Sequence, residues 1–282
     1  MLPSNCLAEP LGVRAVVRLG ERELKMVKID VVLLTKNSER VLRDCLASVY
    51  ENVPVGNLIV VDGFSTDSTL DILREFQKTY RNIVLMRDKG TRASARQKAI
   101  GYVRSDWFMF VDSDVVLCNR WFEKAEKLIE DDVGAIWGIE IWSVLAGTKI
   151  LDLFKRVTTK VFEHRGGTHD LLVRTETLKD ICIPYHLHTY EDSYIKSWIC
   201  KKGYRVIPVY DPYCLHYRPN DVWTMGQSIR LVASDLKYAA GNPQLMFSYA
   251  FYAAIVVYQN LMNGLRFTST HSKTYCASAR QR

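Results

Sequence analysis

The sequence lacks several patterns that would assign it to common protein classes. Its seven cysteines are odd in number and scattered over 282 residues, which suits a reducing cytosol rather than a disulfide framework. No Gly-x-Ser-x-Gly elbow marks an activated serine, and no internal repeat or low-complexity tract occurs. No cysteine pair with zinc-ligand spacing lies near the histidines at positions 164, 169, 186 and 188. A structural zinc site is therefore not expected.

The chain has a positive net charge, and its basic residues are spread along the sequence. A formal net charge of +7 favours anionic partners. Because the basic residues are dispersed and no RNA-binding or helix-turn-helix signature occurs, nucleic acid is a poor candidate. Diphosphate ligands and an anionic membrane surface fit this charge better.

Apolar segments with strand and helix periodicity alternate from residue 29 onward. Continuous apolar runs predict buried strands at 29–34, 58–61, 83–86 and 107–111. The stretches between them carry apolar residues at helical spacing, and a further helix follows near residue 121. This alternation predicts an α/β fold in which helices flank a mostly parallel central sheet.

Two carboxylates directly follow the apolar strand at 107–111. In parallel sheets, ligands bind just outside the carboxyl ends of the strands, where Asp112 and Asp114 are expected to lie. Their spacing allows both to converge on one hard cation, such as the magnesium or manganese that bridges a diphosphate. The competing interpretation is an acidic turn that caps the helix beginning near Asn119.

Three motifs in order extend this interpretation. They are VVDGFSTDST at 60–69, ASARQKAI at 93–100 and FVDSD at 110–114. Together they resemble the nucleotide-sugar domain of family 2 glycosyltransferases, which has the A-type glycosyltransferase fold. The resemblance covers about residues 28–218. Phe64 stands where the family usually has a small or polar residue, and Gln97 stands where it often has asparagine.

The resemblance implies a donor site along the first four strands. In the family, the loop after the first strand and the acid after the second hold the base and ribose of the donor. An arginine after the third strand approaches the diphosphate, for which a guanidinium suits bidentate binding. The implied donor-binding residues are Thr35, Asn37, Asp62, Arg92, Arg96 and Asp112, with Asp112 facing the ribose. From the residues alone, Asp62 is equally a turn residue and Arg96 a solvated helix residue.

The second half of the chain supplies an acidic pair, Glu191-Asp192, before a segment with helical spacing. The pair resembles the family's Glu-Asp pair, which implies a base that takes the proton of the attacking acceptor hydroxyl. Asp192 is the predicted base, and Glu191 is the second candidate. An acidic pair at this place also stabilises the positive end of a helix without any chemistry.

The resemblance also implies a divalent cation, Mg²⁺ or Mn²⁺. Asp114 would bind it together with His216, and Arg218 would balance diphosphate charge. The competing interpretation is that His216 is a histidine packed in a loop. The segment 166–174 resembles the one that the family places beneath the acceptor. The implied reaction is a single inverting displacement, by which a hexosyl group passes from a UDP or GDP sugar to a glycan or lipid-linked acceptor, as in polysaccharide or glycolipid biosynthesis.

The two ends of the chain differ from its middle. Residues 1–27 contain no sustained apolar run, so we expect a loosely ordered extension rather than a secretory signal, with Met26 as an alternative start. The catalytic domain is predicted at 28–218 and a helical region at 219–282.

The segment 243–265 has the length of a bilayer span and no formal charge, but its amide side chains fit an interfacial helix or a subunit contact equally well. We predict a cytoplasmic protein at the cytoplasmic face of a membrane.

Two other functions remain open. A nucleotidyltransferase on a related α/β sheet also needs paired acids and a metal, although the loop at 35–38 lacks the glycine-rich, lysine-bearing pattern expected for it. A binding protein that kept the fold and lost activity is the third candidate. Retention of all four aspartates at positions 62, 112, 114 and 192 argues against it.

Overall fold

A computed structural model describes residues 28–142, 167–187 and 191–217 of the chain. Within these ranges, strands β1 to β8 are Ile29–Thr35, Val55–Asp62, Ile83–Arg87, Trp107–Asp112, Val115–Leu117, Val133–Trp142, Asp170–Arg174 and Arg205–His216. Helices α1 to α6 are Leu42–Asn52, Thr69–Thr79, Arg92–Ile100, Trp121–Ala125, Thr175–Leu178 and Glu191–Lys201. The predictions for residues 1–27 and 219–282, including the segment 243–265, and the prediction for Arg218 lie outside the described residues.

The eight strands form one sheet in the order β3-β2-β1-β4-β7-β6-β8-β5. Strands β3, β2, β1 and β4 are parallel neighbours, and β6 is parallel to β8. Strand β7 is antiparallel to β4 and β6, and β5 is antiparallel to β8. The predicted α/β fold with a mostly parallel sheet is confirmed.

Both faces of the central strands β1 and β4 are buried, which explains why these strands are almost continuously apolar. Val31 and Leu33 face a cluster that contains side chains of α1, α2 and α4, whereas Val32 faces a cluster with α3, α5 and α6. Successive strand residues point to opposite faces, so a strand covered on both sides needs apolar residues at every position. Each fully buried side chain of this size contributes about 1.5–3 kcal/mol.

The four strands predicted at 29–34, 58–61, 83–86 and 107–111 all form, and each extends to a polar residue at its carboxyl end. The helix expected near Asn119 begins at Trp121 because Arg120 adopts a left-handed conformation with φ 56°. Strands β5, β6 and β7 were not predicted.

Strand β8 is the longest of the described strands, with 12 residues. It pairs with β6 over most of its length and, near its end, with β5, so that His216 lies opposite Val115. Among the described residues, no helix is both long enough and apolar enough to cross a membrane.

Candidate functional site

A row of polar residues closes the carboxyl edge of the parallel strands. Strands β1 to β4 end at Thr35, Asp62, Arg87 and Asp112, respectively. Thr35 is paired in register with Asp62, and Asp62 with Arg87. Since ligands of open α/β sheets bind outside this edge, the row marks the candidate site.

Asp62 organises the loops that follow β1 and β2. Its side chain is fully buried; Oδ1 accepts hydrogen bonds from Thr35 Oγ1 at 3.2 Å and Ser65 Oγ at 2.5 Å, and Oδ2 accepts one from the Ser65 amide at 3.0 Å. Arg87 Nε lies 3.5 Å from Oδ2. The geometry is therefore consistent both with Asp62 as a turn residue and with Asp62 as a ligand-binding residue at the carboxyl edge of the sheet.

Asn37 joins the same two loops from the other side. It has φ 49°, its amide donates to Ser65 Oγ at 2.9 Å, and its Oδ1 accepts from the Thr66 amide at 2.9 Å. Asparagine is one of the few residues that tolerate this left-handed conformation. The structure thus brings Thr35, Asn37 and Asp62 together at one edge of the sheet.

Arg96 connects the acid after β4 with the acidic pair of α6. Its guanidinium is buried; Nη1 donates to Glu191 Oε1 at 2.9 Å, and Nη2 donates to Asp112 Oδ1 at 3.0 Å and to Thr168 Oγ1. Glu191 is 95 positions away in sequence. The interpretation of Arg96 as a solvated helix residue is wrong. With both terminal nitrogens engaged, Arg96 is better placed to hold the two acids than to reach a diphosphate directly.

Glu191 and Asp192 begin α6, where the helix dipole favours negative charge. Burial raises the pKa of Glu191 to about 6, and the charge of Asp192 adds to this, although the Arg96 guanidinium lowers it. Among the described residues, Glu191 Oε2 has no hydrogen-bond partner. Asp192 is only half-buried and accepts a hydrogen bond from the Ser193 amide at 2.7 Å.

Asp114 and His216 meet at the edge of the sheet. The Tyr217 amide donates to the Asp114 carbonyl at 2.8 Å, and His216 Nε2 lies 3.1 Å from Asp114 Oδ2. Two neighbouring ligands of an octahedral ion, each about 2.1 Å from the metal, are about 3 Å apart. The donor atoms and their spacing therefore fit one divalent cation, and they also fit a direct hydrogen bond between the imidazole and the carboxylate.

Glu140 of β6 contacts the other nitrogen of the same ring, with His216 Nδ1 2.5 Å from Glu140 Oε2. Glu140 was not among the site residues predicted from the sequence. A single charged residue within an otherwise apolar strand was the signal that could have found it, because a buried charge requires a partner.

A second buried cluster underlies the site. His169 Nδ1 lies 2.6 Å from Asp170 Oδ1 and 3.5 Å from Cys214 Sγ, and Trp121 Nε1 donates to Asp170 Oδ2 at 2.9 Å. The 2.6 Å contact is a hydrogen bond, and the ligand atoms of His169, Asp170 and Cys214 all lie within 4.8 Å of one another. The cluster anchors the chain next to Thr168, which contacts Arg96.

The remaining predicted donor residues are Arg92 and Arg218. Arg92 is exposed at the first position of α3, close enough for its charge to lower the pKa of Glu191. Arg218 lies outside the described residues. The other predicted residues lie along the edge from Thr35 to His216.

The family model described as Glycosyl transferase family 2 matches residues 30–160. Over 124 residues, the chain is 33% identical to the poly(ribitol-phosphate) beta-glucosyltransferase of Bacillus spizizenii, covering 40% of this chain and 20% of that protein. Over 106 residues, it is 31% identical to the putative teichuronic acid biosynthesis glycosyltransferase TuaG of Bacillus subtilis, covering 36% and 40%, respectively. The chain thus aligns with only a minor part of the length of these curated relatives.

Solved structures share the fold. The mannosyltransferase PcManGT from Pyrobaculum calidifontis, in complex with GDP-Man and Mn²⁺, superposes with a TM-score of 0.61 at 19% identity, covering 90% of this chain and 81% of the other. Residues 1–349 of S. aureus TarS superpose with a TM-score of 0.55 at 21% identity, covering 74% and 65%. Residues 30–160 thus match the glycosyl transferase family 2 model, and the described residues have the A-type glycosyltransferase fold of these structures.

Proposed function

We propose that the protein is a glycosyltransferase that moves a sugar from a nucleoside-diphosphate donor to an acceptor hydroxyl, with inversion and with a divalent cation. The observation that carries the proposal is the assembly of Asp112, Glu191, Asp114 and His216, which come from separate stretches of the chain, at the carboxyl edge of the sheet. Support also comes from two similar structures, one described with GDP-Man and Mn²⁺ and the other with UDP-GlcNAc.

Thr35, Asn37 and Asp62 hold the nucleoside of the donor in this proposal. Their loops are joined by hydrogen bonds through Ser65, so the binding surface exists before the ligand arrives. A preformed surface binds with less loss of conformational entropy. Asp112 faces the ribose, with its carboxylate oriented by Arg96.

Asp114 and His216 would hold the cation, which supplies positive charge to the departing diphosphate. Either Mg²⁺ or Mn²⁺ accepts a carboxylate oxygen and an imidazole nitrogen. Arg92, and Arg218 as predicted from the sequence, add positive charge on the donor side.

Asp192 takes the proton of the acceptor hydroxyl. It is half-buried at the start of α6, whereas its neighbour Glu191 is buried and paired with Arg96. This difference favours Asp192 as the base and gives Glu191 the task of fixing the start of the helix. The acceptor attacks the sugar directly, so no covalent nucleophile is required.

The acceptor in this proposal is a glycan or a lipid-linked sugar. The two curated relatives described above act, by their names, on poly(ribitol-phosphate) and in teichuronic acid biosynthesis. Association with the cytoplasmic face of a membrane stays a prediction from the segment 243–265.

A donor panel tests the proposal. UDP, GDP and TDP sugars are incubated with the full chain and Mn²⁺, with and without a chelator, and products are separated by chromatography. Chelator-sensitive release of nucleoside diphosphate is the expected result. Pyrophosphate exchange would indicate a nucleotidyltransferase instead, and inactivity with every donor would indicate a binding protein.

Two variants assign the roles. Asp192→Asn is expected to keep the donor-induced rise in melting temperature and to lose transfer, because only the proton acceptor is removed. Asp114→Ala is expected to lose the part of that rise that depends on Mn²⁺. An unchanged metal-dependent shift in Asp114→Ala would contradict the metal assignment.

A further inference from the structure

We propose that Glu140 is a positioning residue that orients His216 for binding a divalent cation shared with Asp114. The inference rests on the metal site of the proposed function and adds to it a residue that does not itself touch the ion. It concerns three side chains in a line: Glu140, His216 and Asp114.

Glu140 reaches His216 across two paired strands. Strands β6 and β8 are parallel, with Glu140 opposite Cys214 and Trp142 opposite His216. The Glu140 carboxylate is 6% exposed, and its Oε2 lies 2.5 Å from His216 Nδ1. Burying a carboxylate in a sheet is costly unless it has a hydrogen-bonding partner, and this contact provides one.

The contact determines which ring nitrogen can bind a metal. An ionised carboxylate only accepts hydrogen bonds, so when a metal ion takes Nε2 the remaining ring proton lies on Nδ1 and points at Glu140. Nε2, on the opposite side of the ring, then directs its lone pair at the space beside Asp114. Histidines that bind metals are commonly oriented in this way by a carboxylate on their second nitrogen.

The distances fit such an arrangement. His216 Nε2 and Asp114 Oδ2 are 3.1 Å apart, close to the separation of about 3 Å between adjacent ligands of an octahedral ion. Because the imidazole stands between Glu140 and Asp114, Glu140 cannot ligate the same ion. Its effect must pass through the ring of His216.

The first experiment measures Mn²⁺ affinity of the full chain without nucleotide, from the electron paramagnetic resonance signal of free Mn²⁺. We expect Glu140→Gln to weaken binding about 10-fold and Glu140→Ala about 100-fold, within the range found when such orienting partners are removed. Glu130→Gln is the matched control, since Glu130 is exposed and pairs with Arg205 away from the site. It should leave the affinity unchanged.

A double-mutant cycle separates orientation from general stability. If Glu140 acts through His216, Glu140→Gln should have no further effect on Mn²⁺ affinity once His216 is replaced by alanine. Equal losses in both backgrounds would overturn the proposal. The melting temperature of Glu140→Gln in chelator is expected to match that of the unchanged protein within a few degrees, which shows that weaker binding is not unfolding.

The outcomes also distinguish this inference from the proposed function. Mn²⁺ binding that is lost in Asp114→Ala but unchanged in Glu140→Gln and Glu140→Ala would refute only the role of Glu140. Absence of Mn²⁺ binding to the unchanged protein would refute the metal site itself, and the role of Glu140 with it.

Discussion

Buried carboxylates at the two ends of the parallel strands have different kinds of partner, neutral at one end and positively charged at the other. At the amino end, Asp30 receives four hydrogen bonds from uncharged donors: its Oδ1 accepts from the backbone and side-chain amides of Asn57, and its Oδ2 accepts from the amides of Arg104 and Ser105. At the carboxyl end, Asp112 and Glu191 share the Arg96 guanidinium, and Asp114 and Glu140 share the His216 ring.

This comparison distinguishes a carboxylate that stabilises the fold from carboxylates whose arrangement suits ligand binding. Neutral amides satisfy Asp30 within the domain and leave no requirement for a ligand. At the other end, four acids share one guanidinium and one imidazole, an arrangement that a bound cation would complete. Concentrating charge in this way costs folding stability, and it is retained where binding requires it.

The largest expected effect tests the carboxyl end. Arg96→Met removes the guanidinium between Asp112 and Glu191 while keeping much of its volume. We expect a loss of about 3–5 kcal/mol in the free energy of unfolding, because breaking a buried ion pair leaves uncompensated charge. Urea denaturation measures it. Arg104→Met is the control at the amino end, where the side chain is exposed and donates to the backbone carbonyls of Gly101 and Val103. A loss below about 1 kcal/mol for Arg96→Met would mean that Arg96 does not hold the two acids.

The next effect tests the amino end. Asp30→Ala leaves the amides of Asn57, Arg104 and Ser105 without this acceptor, and an unsatisfied buried donor costs about 1–3 kcal/mol. We expect a loss of about 2–3 kcal/mol in the same denaturation experiment. Mn²⁺ affinity should stay as in the unchanged protein, and a marked decrease would show that the two ends are coupled.

A smaller effect concerns pH. Burial raises the pKa of Glu191 from its usual value of 4.5 to about 6, so the folded protein holds this proton more tightly than the unfolded chain. The contribution of Glu191 to stability is then greatest below pH 4.5 and is lost as the pH rises through 6. We expect the stability difference between the unchanged protein and Glu191→Gln to fall by up to about 2 kcal/mol over this interval. A difference that rises with pH would show that Arg96 dominates instead.

The smallest effect concerns Phe64, which follows β2 with φ 60° and stacks under Arg87, whose guanidinium carbon is 4.2 Å from the ring centroid. Lys89 Nζ lies 4.8 Å from the same centroid. Asparagine tolerates this conformation, and its relief of about 1–2 kcal/mol of strain is set against two exposed cation–π contacts of about 0.5 kcal/mol each. We therefore expect Phe64→Asn to raise the free energy of unfolding by up to about 1 kcal/mol in urea denaturation. Destabilisation by this variant would show that the ring contributes more than the strain costs.

The parallel part of the fold was predictable because its signals are local. Strands β1, β2 and β4 are buried over most of their length and contain continuous apolar runs that end in polar residues, and the partly exposed β3 has a shorter run of the same kind. Strand β5 has only three residues, and β6 is interrupted by Gly134, Gly138 and Glu140, so neither shows a continuous run. Their pairing with β8 depends on contacts between distant parts of the chain.

The candidate site, like the fold, was predictable where its signals are local in the sequence. Asp62, Asp112, Asp114 and the pair at 191–192 follow strands or precede a helix, where position alone suggests a ligand. Glu140 and Thr168 gain their roles from partners that are distant in sequence, His216 and Arg96. Nothing in the neighbouring residues shows which partner each will meet.

The short strand β5 has a consequence for local motion. It lies at the edge of the sheet, its three residues pair only with β8 among the described strands, and Asp114 immediately precedes it. Few hydrogen bonds must break for this edge to open, so its amide protons are expected to exchange with solvent faster than those of β4 in the sheet interior. An ion held between Asp114 and His216 would tie the edge to β8 and slow that exchange.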